Sequence, residues 1–203
     1  GVIWVINTGR DLSSLMETLG RARLSIWPDY VVIVEREIYR RDDSHYVSIE
    51  EWNLKCRLVH DQVFVQLKQD LGHLMEWVQS RFQATVYGDA YSPFCLIAQN
   101  NDDADIIHSF LNDYCRRVPD LTVVRNDVYA RFSHSSYHKG SALAEIGRRL
   151  GIGRDEIIAA GDHLNDLPML SRDYARWLIA PSNAVAAVKE AVRGQDGYIS
   201  HLP

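Results

Sequence analysis

The sequence has few cysteines, no long apolar run and no excess of basic charge. Its three cysteines, Cys56, Cys95 and Cys115, are far apart and form no CxxC pair, which argues against a disulfide framework and a zinc site. We therefore expect reduced, buried thiols in a cytoplasmic protein. No apolar run approaches the ~20 residues that span a bilayer, and the start has no basic segment typical of a signal peptide. These absences predict a protein without a membrane partner.

The charges are mixed along the chain and sum to -5, so there is no basic patch to indicate a nucleic-acid partner. Any anionic substrate would therefore have to be held by a locally arranged site. The 203 residues, 46% of them hydrophobic, fit one globular domain or a compact core with an inserted module.

Both ends of the chain show the alternation of strand and helix that is typical of an α/β sheet. Residues 2–6 form an apolar run rich in β-branched residues, and apolar positions between residues 12 and 19 follow with helical spacing. Near the other end, residues 156–160 and 177–180 predict strands, each followed by a polar loop or helix.

The middle of the chain predicts a mixture of helices and hairpins. Ser48, with Glu51 three residues later, predicts the N-terminal cap of a long helix, and Gly72 is a candidate break within it. Strand pairs are predicted on either side of a second helix that follows Asp103. We therefore expect a discontinuous α/β core, residues 1–27 and 137–203, with an inserted α/β cap domain at 28–136.

The most informative segment is Gly161-Asp162-His163-Leu164-Asn165-Asp166, which follows a predicted buried strand. Ligands bind at the carboxyl ends of the strands in open α/β sheets. Two nearby carboxylates repel each other, and Mg²⁺, which takes carboxylate and phosphate oxygens, would relieve that repulsion. The alternative is an ordinary loop whose Asp and Asn residues cap the next helix. His163 fits a spacer better than a ligand.

Two other strand-to-helix junctions have residues suited to phosphate. Thr8-Gly9-Arg10 combines a hydroxyl, a glycine and a predicted helix start, which together can bind a phosphate group. Lys139 lies at another helix start, where the helix dipole is unfavourable for a cation unless an anion binds nearby. The alternatives are a plain turn with Thr8 as its cap and a solvated surface lysine.

In combination and in this order, these segments resemble the haloacid-dehalogenase-like hydrolase superfamily. The similarity is greatest to its branch of Cof-type and sucrose-phosphatase-like sugar-phosphate phosphatases. Residues 5–10 look like the second motif of that superfamily, Lys139 like the third, and residues 161–170 like the fourth. The resemblance implies an α/β fold with a Rossmann-like parallel sheet and a cap inserted between the second and third motifs.

The resemblance also implies a Mg²⁺-dependent phosphatase, a monomer or homodimer, that acts on a small phosphorylated substrate, most simply a sugar phosphate. Thr8, Lys139, Asp162 and Asp166 would be the catalytic residues. Phosphate would contact Thr8, Gly9, Arg10, Lys139 and Asn165. Asp162 would bind the metal directly, and Asp166 would hold the metal's waters or orient Lys139.

The chain lacks the superfamily's first motif, DxDGT, whose first Asp attacks phosphorus and whose second Asp acts as acid and base. Asp103-Ala104-Asp105 is the nearest substitute, but it opens a predicted cap helix. We therefore expect the chain to be a portion of a longer protein whose nucleophile precedes Gly1. In the parallel sheet, the missing central strand would leave a gap. The alternatives are a silent phosphate-binding or regulatory module, a phosphomutase, or an unrelated α/β fold.

Substrate specificity would come from polar residues where the predicted cap faces the core. The candidates are Arg36, Tyr39, Arg40, Arg131, His134 and His138. For each one the alternative is a solvated surface side chain.

Overall fold

The structure, a computed structural model, describes residues 1–203. Its N-terminal part contains β1 (Val5–Asn7), α1 (Leu12–Ala22), β2 (Tyr30–Ile33), β3 (Glu37–Asp42) and β4 (His45–Ser48). The middle contains α2 (Glu50–Gln79), β5 (Ala84–Tyr87), β6 (Cys95–Ala98), α3 (Asn101–Cys115), β7 (Leu121–Asn126) and β8 (Tyr129–His134). The C-terminal part contains α4 (Lys139–Leu150), β9 (Ile158–Ala160), β10 (Trp177–Ala180), α5 (Ala186–Arg193) and β11 (Tyr198–Ile199). Short 3₁₀ turns lie at Arg154–Glu156 and Leu164–Asp166.

The predicted α/β class is confirmed. Strand β1 pairs in parallel with β2, and β10 pairs in parallel with both β9 and β11. Helix α1 packs Leu15 and Leu19 on β2, and α5 packs Val188 and Val192 on β10. In each of these sheets, a helix next to a parallel strand pair covers part of one face, as is typical of parallel strands.

The middle of the chain forms a separate antiparallel sheet in the order β5-β6-β8-β7. Helices α2 and α3 cover one face of this sheet over a cluster of 17 buried residues, which includes Phe94 and Phe132. We call this part the cap. Its other face is turned toward the N-terminal strands, because Arg131 of β8 donates a hydrogen bond to the Gly9 carbonyl oxygen at 3.0 Å.

The structure moves one predicted boundary. The prediction placed residues 28–136 together in the inserted domain, but β2 pairs with β1 and the hairpin of β3 and β4 extends the same sheet. The reason is that β2 supplies the parallel partner that completes the unit of β1, α1 and β2, with all four of its residues buried. Residues 30–48 therefore belong with the N-terminal strands, and the antiparallel cap sheet follows α2.

Three local predictions also differ from the structure. Ser48 ends β4 and does not cap α2, because the N-cap residue of that helix is Ile49. The Ser48 hydroxyl instead donates a hydrogen bond to the Glu50 carboxylate. Gly72 lies inside a single helix of 30 residues, because Leu71 and Leu74 continue the packing against the cap core. Val2 is exposed and precedes β1, since only residues from Val5 onward have a partner strand.

Each of the two sheets that contain parallel pairs has an unpaired edge at one of these strands, β1 in the first sheet and β9 in the second. Strand β1 pairs with β2 alone, and β9 pairs with β10 alone. Both edges border a single cleft of about 950 Å³, lined by residues 1–9 and 156–163 and by the inner side of α4. None of the helices has the length and apolar character needed to cross a membrane.

Candidate active site

The acidic loop after β9 is organised by Asp166. Its Oδ2 accepts hydrogen bonds from the backbone N–H groups of Asp162 at 2.9 Å and His163 at 3.0 Å. A Cβ atom at position 161 would collide with the Asp166 side chain, so only glycine allows this approach. The spacing of Gly161, Asp162 and Asp166 thus produces a closed turn, in which the Asp166 carboxylate accepts the backbone N–H groups of Asp162 and His163.

Lys139 completes a buried ion pair with the same carboxylate. Its Nζ lies 2.6 Å from Asp166 Oδ1, and the two side chains are only 5% and 7% exposed. Since a cation at the N-terminus of α4 opposes the helix dipole, the carboxylate compensates for that cost. Both oxygens of Asp166 are therefore engaged, one by Lys139 and the other by the two loop amides. Asn7 holds the other side of the junction by donating to the Lys139 carbonyl oxygen at 2.9 Å.

The loop after β1 presents a hydroxyl at the same cleft. Thr8 Oγ1 accepts a hydrogen bond from the Arg10 backbone N–H at 3.2 Å, which leaves the hydroxyl proton free to donate. Asp11 begins α1 by accepting from the Ser14 N–H at 2.8 Å. The Arg10 side chain is exposed and has no hydrogen-bond partner, in contrast to the half-buried Thr8 and Gly9.

The cleft brings several predicted site residues together. Its lining includes Thr8, Gly9, Lys139, Asp162, Asn165 and Asp166. The Asp162 carboxylate is exposed and accepts no hydrogen bond, so it is the member of the acidic loop that is free to take a ligand. No group of three or more His, Cys, Asp or Glu side chains gathers at one point. The free Asp162 carboxylate is an oxygen donor of the kind that Mg²⁺ takes, one or two to a site, with its other oxygens from phosphate and water.

A carboxylate not predicted from the sequence lies beside this site. Glu35 is 6% exposed and accepts a hydrogen bond from Asn165 Nδ2 at 2.8 Å. It lies in the turn between β2 and β3, where Val34 and Glu35 have positive φ values of 42° and 68°. Such a conformation is unfavourable for a β-branched residue and must be held by its surroundings. The carbonyl oxygens of Arg10 and Thr8 hold it by accepting the two backbone N–H groups, each at 2.9 Å.

The sequence carries a signal for Glu35 that our prediction did not use. Three charged residues, Glu35 to Glu37, follow the apolar run of residues 30–34 that contains β2. In a parallel sheet, the carboxyl end of β2 lies at the same edge as the Thr8 loop. All three charged side chains are buried.

The predicted cap candidates fall into two groups, the first of which lies between the cap and the core. Arg36 donates to Ser133 Oγ at 3.2 Å and to the Tyr91 carbonyl oxygen at 2.6 Å. Burial lowers the pKa of the Arg36 guanidinium, and the neighbouring Arg131 lowers it further. Arg131 is buried as well, and its Nη1 has no hydrogen-bond partner.

The second group has structural contacts of its own. Tyr39 donates to Glu37 at 3.2 Å, and Arg40 is exposed on β3. His134 packs against the rings of His60 and Tyr137. His138 caps α4, since its Nδ1 accepts from the backbone N–H groups of residues 140 and 141. These positions give Tyr39, His134 and His138 intramolecular partners, and the structure does not bring Arg40 to the cleft.

A neutral histidine and a protonated thiol lie behind the cap–core seam. Burial, together with the nearby Arg36, lowers the pKa of His60 to about 3. Burial also raises the pKa of the Cys56 thiol to about 12. His60 Nε2 accepts the His134 backbone N–H at 3.0 Å, which fixes the proton of the neutral ring on Nδ1. Neither group is poised for acid–base or nucleophilic chemistry at neutral pH.

Solved structures share this fold. A sucrose-phosphatase from Synechocystis sp. PCC6803, solved with sucrose and phosphate, superposes with a TM-score of 0.70 at 16% identity, covering 98% of this chain and 78% of that one. A haloacid dehalogenase-like hydrolase from B. subtilis gives 0.62 at 17% identity, covering 94% and 81%. The C-terminal domain of C. albicans trehalose-6-phosphate phosphatase gives 0.56 at 13% identity, covering 91% and 70%. At these identities the likeness shows the fold alone.

Sequence comparison identifies the family. The curated protein "Putative phosphatase YxeH" of Bacillus subtilis (strain 168) is 35% identical over 75 residues, which are 36% of this chain. The match spans only 27% of the length of that relative. A family model described as haloacid dehalogenase-like hydrolase matches residues 41–195, most of the chain. The chain therefore belongs to the haloacid dehalogenase-like hydrolase family.

Proposed function

We propose that the protein is a Mg²⁺-dependent phosphatase of a small phosphorylated metabolite, a sugar phosphate in particular. The observation that carries the proposal is the single cleft lined by Thr8, Lys139, Asp162 and Asn165, with Lys139 held by Asp166. These residues offer a hydroxyl after β1, an ammonium at the start of α4, and a carboxamide and a free carboxylate after β9. Family membership and the phosphatase name of the curated relative support the same activity.

The cleft residues divide into those that would bind the phosphoryl group, one that would bind the metal, and one that positions Lys139. Thr8 and Asn165 donate hydrogen bonds to the phosphoryl oxygens, and Lys139 neutralises the charge that gathers on them during transfer. Asp162 holds the Mg²⁺ ion, which would supply further charge neutralisation when bound. Asp166 is a positioning residue, because it fixes Lys139 Nζ through the 2.6 Å ion pair.

The attacking carboxylate would come from a strand that adds between β1 and β9. The unpaired edges of β1 and β9 support this proposal, because an edge strand presents a row of backbone N–H and C=O groups with which another strand can pair. Ile158 of β9 is 64% exposed and Trp4, beside β1, is 37% exposed, so the edges carry apolar side chains that a further strand would cover. An Asp at the carboxyl end of such a strand would face Lys139 and Asp162 and form an aspartyl-phosphate intermediate.

A second candidate is a phosphate-binding or regulatory module without catalysis. It is favoured by one observation: the cleft-lining acids are Glu156, Asp162 and Asp166, none of which belongs to an Asp-x-Asp pair. The free thiols support a reducing, cytoplasmic location for either candidate. We expect a monomer or homodimer that engages neither nucleic acid nor membrane.

Hydrolysis assays distinguish the two candidates. The 203-residue chain and the protein expressed from its natural start codon would be tested with Mg²⁺ on a panel of sugar phosphates. We expect turnover only by the protein expressed from its natural start codon. In that protein, Lys139→Met should lower the turnover rate by ~10²-fold or more, the scale of one well-placed charge stabiliser. Turnover by the 203-residue chain would contradict the proposal that the attacking carboxylate lies on an additional strand. Phosphate binding without turnover in both would favour the silent module.

A further inference from the structure

Arg131 carries a buried positive charge with no carboxylate partner. It is 7% exposed, and none of the ion pairs in the structure includes it. Its Nη2 donates to the Gly9 carbonyl oxygen in the proposed phosphate loop at 3.0 Å, and its Nη1 is buried without any partner. A buried donor on a charged group is costly to leave unsatisfied, so this guanidinium requires an acceptor.

Glu35 carries the complementary charge beside the same residue. Its Oε1 would lie 3.1 Å from a Cβ atom built on Gly9, and its only side-chain hydrogen bond comes from Asn165 at 2.8 Å. It also forms no ion pair. A carboxylate next to a phosphate site opposes phosphate binding, so its burial there needs a reason other than the phosphoryl group.

The two side chains flank Gly9 from opposite parts of the fold. Glu35 comes from the β2–β3 turn, and Arg131 from the face of the cap sheet that the helices leave uncovered. The Arg131 guanidinium lies 5.0 Å from the centre of the Tyr129 ring on the same strand, a contact that fixes its direction. Arg36 ties this part of the cap to the β2–β3 turn through Ser133 and Tyr91.

A hydroxyl group suits this pair because it accepts a hydrogen bond from a guanidinium and donates one to a carboxylate. A leaving group with a second anion would be repelled by Glu35, and an apolar one would leave both charges unsatisfied. Building on the proposed phosphatase activity, we propose that Glu35 and Arg131 are a specificity-determining pair that binds hydroxyl groups of a polyhydroxylated leaving group.

The test compares substrates in the protein expressed from its natural start codon, with Mg²⁺. The panel contains hexose, pentose and glycerol phosphates, with phenyl phosphate and phosphoglycolate as esters that lack the hydroxyls. The wild type is expected to prefer a polyhydroxylated ester. Glu35→Gln and Arg131→Met are expected to lower kcat/KM for that ester by ~10- to 100-fold, the effect of one charged hydrogen bond. Turnover of phenyl phosphate should fall several-fold less, since its leaving group makes no such bond and it shares only the effects transmitted through Asn165 and Gly9.

Arg125→Met is the matched control. Arg125 is also a buried cap arginine, at 8% exposure, but it is paired with Asp105 and bonded to Asn101. It should leave the ratio between substrates unchanged. Arg131→Lys, which keeps the charge, should recover part of the lost preference and guards against misfolding of Arg131→Met.

The outcomes separate this inference from the activity on which it rests. A wild type that prefers phenyl phosphate or phosphoglycolate would overturn the inference while leaving the phosphatase intact. Equal losses on all esters in Glu35→Gln and Arg131→Met would show that the pair only fastens the cap. If no ester is hydrolysed, calorimetric binding of hexose phosphate against inorganic phosphate replaces kcat/KM. Tighter hexose phosphate binding that both variants abolish would then support the pair without the phosphatase, and equal binding would overturn it.

Discussion

The buried pair of Lys139 and Asp166 gives the most quantitative prediction. The two side chains meet at 2.6 Å with 5% and 7% exposure, so removing one partner leaves the other charge buried. Lys139→Met and Asp166→Asn should therefore each destabilise the protein by ~3–5 kcal/mol. In Asp166→Asn the side-chain oxygen can still accept hydrogen bonds from the backbone amides of Asp162 and His163. The variant therefore tests how much the negative charge beside Lys139 contributes to stability.

The double variant Lys139→Met with Asp166→Asn removes both charges and should recover much of that loss. We expect a coupling energy of ~2–3 kcal/mol from urea unfolding of the wild type, both single variants and the double variant. The exposed pair of Arg116 and Asp113, at 2.7 Å with 79% and 61% exposure, is the control. Its coupling should stay below ~0.5 kcal/mol. A buried pair that couples no more strongly than the exposed pair would refute the reasoning.

Three further predictions concern the same region. Gly161→Ala should displace the Asp166 side chain and destabilise the protein, by ~1–3 kcal/mol for the amides it leaves unsatisfied, as measured by urea unfolding; an unchanged midpoint would contradict the close approach. Asp162→Asn should weaken Mg²⁺ binding at least ~10-fold by calorimetry while leaving the unfolding free energy within ~0.5 kcal/mol, because its carboxylate has no internal partner. His60, whose folded pKa of about 3 lies below its ordinary value of 6.5, binds protons more readily when unfolded. The protein should therefore lose ~2 kcal/mol of stability between pH 8 and pH 5 from this group; an equal loss in His60→Gln would show that other groups are responsible.

The parallel units could be predicted from the sequence because short apolar runs and helical spacing alternate there. Strand β10 occupies residues 177–180 as predicted. The boundary between core and cap could not be placed in the same way. Strand β2 reads as an isolated apolar run, and only its pairing with β1 across α1 shows that it completes a parallel unit. That pairing is a long-range contact, which local periodicity does not record.

The resemblance gives the two carboxylates of the acidic loop different roles, with Asp162 on the metal and Asp166 on the metal's waters or on Lys139. The structure adds the contacts of each side chain. Asp166 uses both oxygens on Lys139 and the loop amides, while Asp162 accepts no hydrogen bond. The prediction did not use the charged run that contains Glu35, and the position of that side chain depends further on a turn with positive φ values that the residue types Val34 and Glu35 do not favour. Strained turns at a site are held by tertiary contacts, here the carbonyl oxygens of Thr8 and Arg10.

The central claim is that Thr8, Lys139 and Asp162 surround one metal-bound phosphoryl group. A crystal structure of the protein with Mg²⁺ and inorganic phosphate tests it most directly. The account predicts phosphate oxygens within hydrogen-bond distance of Thr8 Oγ1 and Lys139 Nζ, and Mg²⁺ coordinated by both the phosphate and the Asp162 carboxylate. Phosphate or Mg²⁺ bound away from these three side chains would contradict it.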